Sequence, residues 1–69
     1  MLLEDKKYIL YSPVKELYFH SLVEGVLTTA HDKDHAEIFH GASAADAVLS
    51  SLNIIVDPKS KWEKVEIPH

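Results

Sequence analysis

The feature that most limits what this chain can fold into is the absence of cysteine from a sequence of only 69 residues. Disulfide bonds, thiolate nucleophiles and sulfur-ligated zinc are therefore excluded. A domain this short depends on its apolar core alone, which leaves a net stability of only about 3–5 kcal/mol. We expect one domain over residues 1–69, to which a bound partner or a homodimer would add stability.

The charge pattern argues against nucleic acid as a partner, and the lack of a long apolar run argues against a membrane. The formal net charge is −4, and lysine provides all seven basic residues. Arginine, the side chain best suited to phosphate and guanine, does not occur. The lysines stand beside acidic residues, as in EDKK and KWEKVE, and form no basic stripe. No apolar run approaches the roughly 20 residues of a membrane span, and MLLEDKK is unlike a secretory signal, so we expect a cytoplasmic protein.

The first half of the chain is typical of an antiparallel β-sheet. Residues 8–12 and 17–22 are rich in aromatic and apolar residues, and SPVKE between them contains the turn residue Pro13. This pattern predicts a β-hairpin. Gly25 predicts a second turn, which leads into a short third strand over residues 26–29.

The second half predicts one α-helix over residues 43–53. Apolar side chains at the spacing i, i+3, i+4 and i+7 would form one stripe along it: Ala45, Val48, Leu49 and Leu52. Ser43 with Asp46 three residues later resembles a capping box, which predicts the beginning of the helix. Asn53 suits its end, because asparagine tolerates the left-handed conformation.

Two more strands are expected after this helix. The apolar segment IIV, residues 54–56, predicts a short strand, and Asp57-Pro58 predicts a turn. SKWEKVEI then alternates two sets of side chains, as an edge strand does: Glu63, Val65 and Ile67 against Trp62, Lys64 and Glu66. The fold class that we predict is α+β, with a small, mainly antiparallel sheet and one helix packed on one face.

The segment HDKDH, residues 31–35, could belong to a metal site. On a helix, His31 and His35 would lie one turn apart, as in the metalloprotease motif H-E-x-x-H, with His40 as a third ligand. The acid after the first histidine is Asp32, one methylene shorter than the glutamate that activates zinc-bound water. Metal binding by the three histidines is therefore an alternative interpretation.

We favour a simpler interpretation of HDKDH as the beginning of a helix. Asp32 would be its N-cap, and Asp34 would add negative charge where the helix dipole is positive. The apolar residues that follow would supply the buried side of this segment: Ala36, Ile38 and Phe39.

No part of the chain resembles a catalytic constellation. The serines near the helix lack a nucleophile elbow and an oxyanion-hole motif: Ser43, Ser50 and Ser51. Gly25 and Gly41 stand too far apart to cradle a phosphate. We therefore expect neither enzymatic activity nor a cofactor.

The aromatic side chains favour protein binding. Tyrosine and tryptophan are enriched at protein interfaces, and one thin core cannot use all of those present: Tyr8, Tyr11, Tyr18 and Trp62. We predict a partner-binding surface that includes Tyr11, Tyr18, His20 and Trp62. Core and boundary packing of the same side chains is the alternative, and a structural homo-oligomer is a further alternative for the function.

The order of hairpin, A-x-x-F, capped helix and closing strand resembles a pattern in small phage and prophage proteins of unknown function. The matching text is TTAHDKDHAEIFHGASAADAVLSSL with WEKVEI at the end, and Asn53 stands where these proteins usually have glycine. The resemblance implies an accessory protein of a mobile element that acts by binding or inhibiting a host or phage protein. It implies no catalytic residues.

Overall fold

The computed structural model describes residues 6 to 68, so residues 1–5 and 69 of the predicted domain lie outside it. Five strands form one antiparallel sheet, and a helical segment packs on one of its faces, which confirms the α+β prediction. The strands are β1 (Lys7–Ser12), β2 (Leu17–Val23), β3 (Val26–Ala30), β4 (Phe39–His40) and β5 (Glu63–Ile67). The α-helix α1 (Ala42–Ser51) continues into one π-helical turn (Leu52–Val56), and single 3-10 turns span Lys33–His35 and Pro58–Ser60.

The predicted hairpin is present, and the predicted turn at Gly25 joins β2 and β3 in a second one. The β1–β2 turn is closed by a 2.7 Å hydrogen bond that the Glu16 backbone N–H donates to the Ser12 carbonyl. The two-residue β2–β3 turn has positive φ at both Glu24 (51°) and Gly25 (80°). Two positive φ values match the twist of the flanking strands, which is why glycine at the second position suits this hairpin.

The first strand, β1, is the centre of the sheet. One of its edges pairs with β5 over five residue pairs, from Lys7 opposite Ile67 to Tyr11 opposite Glu63. Its other edge is divided between two strands: β2 pairs with the end of β1, and β4 pairs with its beginning. The strands β3 and β5 therefore form the two outer borders of the sheet.

An irregularity in β2 explains how β4 reaches β1. The β2–β3 register shifts between Phe19 and Ser21, so His20 is an extra residue in β2, and such bulges bend the strand that contains them. Beyond the bulge, β2 pairs with β3 alone. The Glu37 backbone N–H donates a 2.9 Å hydrogen bond to the Phe19 carbonyl, which guides the chain into β4.

The core lies between the sheet and the helix. The predicted apolar stripe of α1 faces it: Ala45 and Leu52 are fully buried, and Val48 and Leu49 are partly buried against the same cluster. On the sheet side the buried residues are Leu10 and Phe19. Trp62, just before β5, fills the remaining space and is only 3% exposed.

The helix begins earlier than predicted and is not capped by Ser43. Gly41 is the N-cap, with φ at 103° and no side-chain cap hydrogen bond, and Ser43 is exposed in the first turn. Asp46, the other member of the expected capping box, accepts a 2.8 Å hydrogen bond from the Lys64 ammonium. The capping-box prediction was therefore wrong, because Asp46 is bound by a lysine that is distant in sequence.

The predicted strand over residues 54–56 is also wrong, since the chain continues there as the π-helical turn. Asn53 does not end the helix. Its side-chain amide donates to the Trp62 carbonyl (3.0 Å) and accepts from the Trp62 N–H (2.9 Å). These two bonds fasten the π-helical turn to the residue before β5, and the β-branched residues Ile54 and Ile55 are left exposed.

Within residues 6 to 68, none of the helices has the length and apolar character needed to cross a membrane.

Candidate protein-binding surface

The sheet face opposite α1 has a band of apolar side chains that the core does not use. Strand alternation and register place Ile9 and Tyr11 of β1 beside Val65 of β5 and Tyr18 of β2 on this face. Two further side chains extend the band. We refer to the set as the open face: Ile9, Tyr11, Tyr18, Ile38, Val65 and Ile67.

A hollow of about 370 Å³ lies at one end of the open face. Its apolar lining comes from β1, β5 and the segment before β4: Ile9, Ile38, Ile67 and Pro68. Ile9 is only 5% exposed, whereas Ile38 at the side is 45% exposed. Lys33 and Asp34 complete the lining with charges of opposite sign. The hollow therefore has an apolar floor and a polar rim, the distribution that protein interfaces show.

The 3-10 turn Lys33–His35 forms the rim because Asp32 caps it. The Asp32 carboxylate accepts hydrogen bonds from the His35 backbone N–H (3.1 Å) and from the His35 Nδ1–H (2.7 Å). The predicted capping role of Asp32 is confirmed, although the structure that it caps is only three residues long. The side-chain hydrogen bond lowers the pKa of Asp32 and raises the pKa of His35. Both side chains are exposed, so solvent weakens the pair and it serves mainly to shape the turn.

The segment between this turn and β4 differs from prediction at Ile38. Ala36 is buried and Phe39 is half-buried against the core, as expected. Ile38 was expected to be buried with them, but it lies exposed at the hollow. The reason is local. Phe39 of β4 pairs with Tyr8 of β1 and faces the core, so its neighbour Ile38 faces the opposite side of the sheet.

Two of the four residues predicted to bind a partner lie together on the open face. The rings of Tyr11 and Tyr18 are cross-strand neighbours, with centroids 4.9 Å apart and planes inclined at 45°. Both tyrosines are half-buried. Tilted pairs of this kind hold each other in place, so an incoming surface would meet an ordered aromatic edge.

The other two predicted residues are not part of this surface. His20 is exposed at the β2 bulge. Trp62 is a core residue whose Nε1–H donates a 3.4 Å hydrogen bond to Asp57, so the expectation that it is exposed was wrong. The alternation of SKWEKVEI correctly predicted that Trp62 and Val65 lie on opposite sides of the strand. It did not indicate which of the two sides the helix covers.

The metal-site alternative finds no support in residues 6 to 68, where no group of three histidine, aspartate or glutamate side chains could hold a metal ion. His31, His35 and His40 are exposed, and among their three rings only that of His35 forms a hydrogen bond with another of residues 6 to 68, namely Asp32. The helix that would align His31 with His35 is absent, because only Lys33–His35 forms a turn.

On the helix side, the carboxylate of Asp57 is the centre of a hydrogen-bond network with a structural role. It accepts hydrogen bonds from the Ser60 hydroxyl (2.6 Å), the Lys15 ammonium (3.2 Å) and the Trp62 indole. The Ser60 bond, followed by those from Lys15 and Trp62, lowers the pKa of Asp57 below its ordinary value. Ser60 is itself buried, and its carbonyl accepts a 2.8 Å hydrogen bond from the Ser12 hydroxyl. This network ties the loop before β5 to the end of β1.

Four residues of the open face were not predicted as binding residues: Ile9, Ile38, Val65 and Ile67. For Val65 and Ile67 a signal was present, because the alternation of β5 already separated them from Lys64 and Glu66. No corresponding signal marks Ile38, because it follows a turn that periodicity does not describe.

Comparison of this chain with protein-family models, with characterised proteins and with solved structures found no match.

Proposed function

We propose that this protein is a small non-catalytic module that binds another protein through the open face. The observation that carries the proposal is the hollow over Ile9, with exposed isoleucine at its side and Lys33 and Asp34 at its rim. An apolar centre enclosed by a polar rim is typical of protein interfaces.

Other exposed apolar side chains favour the open face less. Ile54 and Ile55 are the most exposed, at 74% and 77%, but they are neighbours on one π-helical turn and do not line the hollow over Ile9. The apolar contacts that dominate binding energy usually occupy pockets from which water is excluded. A hollow that receives a side chain of the partner meets this requirement better than a protruding pair.

The structural origin of the pKa shifts in this protein supports the proposal of a non-catalytic role. The pKa shifts of Asp32 and His35 come from a cap, that of Asp57 comes from the network before β5, and that of Lys64 comes mainly from its hydrogen bond to Asp46. Each of these shifts has a structural cause, whereas catalytic groups are usually perturbed inside a cleft.

We further propose that the protein acts in the bacterial cytoplasm as an accessory protein of a phage or other mobile element, and that its partner is a host or phage protein whose activity it inhibits. The support is the resemblance of residues 28–52 and of the closing strand to small phage and prophage proteins.

The experiment is affinity capture from a bacterial lysate with three immobilised proteins, followed by mass spectrometry. The wild type is compared with Ile38→Asp, which puts a charge beside the hollow, and with Ile54→Asp, which makes the same change at a site outside the open face. We expect one protein to be retained by the wild type and by Ile54→Asp and to be lost with Ile38→Asp.

Binding of the purified partner should then weaken at least about tenfold in Ile38→Asp, the size of effect expected at the centre of an interface. Circular dichroism of all three proteins establishes that they are folded. Equal retention by both variants, or no specific protein at micromolar bait, would contradict the proposal.

A further inference from the structure

The last strand, β5, has an unpaired edge. Its inner edge pairs with β1 at every position from Glu63 to Ile67, and among residues 6 to 68 no strand pairs with its outer edge. The outward-facing N–H and C=O groups of such an edge are a template for another strand.

The sequence of β5 is complementary to itself in the antiparallel direction. When two copies of EKVEI are aligned about Val65, Lys64 of each copy lies opposite Glu66 of the other. Opposite charges at directly facing positions stabilise an antiparallel pair, and like charges destabilise it. The other border strand, β3, has the sequence VLTTA and no charge, so charge cannot select a partner there.

The side chains of β5 are arranged as this pairing requires. The Lys64 ammonium is already ordered by Asp46 at 2.8 Å and lies 5.1 Å from the centroid of the Tyr8 ring. Glu66 is exposed and forms no ion pair with any other of residues 6 to 68. Val65, on the opposite side of the strand, is 37% exposed and would meet Val65 of the second copy on the twofold axis.

We propose that two copies of this chain pair through the outer edges of β5, antiparallel and centred on Val65, so that their sheets become one. The alternating charges deter foreign strands and admit the identical strand, which is how edge charges act against unwanted pairing. Because Val65 pairs with itself, both open faces lie on the same side of the joined sheet. This inference does not rest on the proposed function.

The test is the mass in solution, measured by light scattering and sedimentation equilibrium up to millimolar concentration. A five-residue edge is a small interface, so we expect the wild type to dimerise with a dissociation constant in the micromolar range. Lys64→Glu and Glu66→Lys each place like charges opposite one another twice, and each alone should dimerise at least about tenfold more weakly.

An equimolar mixture of these two variants restores opposite charges at both positions, and it should form a heterodimer. Lys64→Glu also loses the bond to Asp46, so circular dichroism checks its fold. Val65→Lys provides a second route, since it puts two lysines on the twofold axis without touching that bond, and it should also give monomers.

The matched control is Thr28→Lys, which adds the same charge at an exposed position of the other border strand, β3, and should leave the dimer unchanged. Ile38→Asp should also leave it unchanged, so loss of the dimer and loss of partner capture are separate outcomes. A wild type that stays monomeric, an unaffected Glu66→Lys dimer, or a dimer broken by Thr28→Lys and not by Val65→Lys would overturn the proposal.

Discussion

The two faces of the sheet differ in how completely their side chains are covered, although they are built from alternate residues of the same strands. Leu10 points towards α1 and is fully buried with Leu52 and Trp62, whereas its neighbour Ile9 points to the open face. Ile9 is also shielded, but by half-exposed side chains around a hollow. The helix side therefore contributes most of the stability of the fold, and the open face remains available for contacts.

Truncation of these two neighbouring side chains should destabilise the protein by very different amounts. Leu10→Ala should lower the free energy of unfolding by about 3–5 kcal/mol, because it leaves a closed cavity between the sheet and the helix. Ile9→Ala should cost only about 2 kcal/mol, because the space that it leaves joins a hollow that is already open to water. Because the first loss is as large as the net stability expected of so short a domain, Leu10→Ala should be largely unfolded even without urea, which circular dichroism detects. Urea unfolding measures the smaller loss in Ile9→Ala. Equal losses would show that the two faces contribute alike.

A second prediction concerns the fastening of the π-helical turn. Asn53→Ala removes both hydrogen bonds to the Trp62 backbone and leaves that partly buried N–H and C=O without their partner. We expect a loss of about 1–3 kcal/mol in the free energy of unfolding. Ser50→Ala, at an exposed position of α1, is the control and should change it by less than about 0.5 kcal/mol. A similar small loss in both variants would mean that the two bonds contribute little.

A weaker effect should be seen in how the free energy of unfolding depends on pH. The pKa of Asp57 is lower in the folded chain than its ordinary value of 3.8, so protonation favours the unfolded state. Its contribution is complete above that ordinary value and is lost as the pH falls through the lowered pKa. Asp57→Asn should therefore be less stable than the wild type at about pH 7, and the difference should shrink by about pH 3.

Urea unfolding at several pH values measures this difference. Ser60→Ala is the matched variant, because it removes the donor that lowers the pKa of Asp57 most and keeps the carboxylate. Its pH dependence should fall between those of the wild type and Asp57→Asn. A constant difference between Asp57→Asn and the wild type across the range would show that the carboxylate is not held in its charged form by the fold.

Local signals in the sequence were sufficient for the first hairpin, the turn at Gly25 and the helix stripe. Pro13 and Gly25 marked turns where the structure has them, and the spacing of Ala45 and Leu52 predicted the buried side of α1. These elements are determined by neighbours in the chain. The helix ends were predicted less well, since Gly41 and not Ser43 is the N-cap.

The errors lie where distant residues decide the local structure. Ile54–Val56 has the composition of a strand, but burial of Leu52 and the bonds from Asn53 to Trp62 keep the segment helical. Propensity is a weak signal that tertiary contacts of this kind override. Of the candidate surface, the tyrosine pair could be predicted, whereas the hollow could not, because residues from three separate segments form it.

The position of β5 in the sheet has a consequence for how the chain folds during synthesis. The β1–β2 hairpin joins residues close in sequence, but β1 also needs β5, with Lys7 opposite Ile67. Pairings between such distant residues form slowly, because a long loop must close first. On a translating ribosome the central strand would therefore keep one edge vacant until residue 67 has emerged, and only then could Trp62 complete the core.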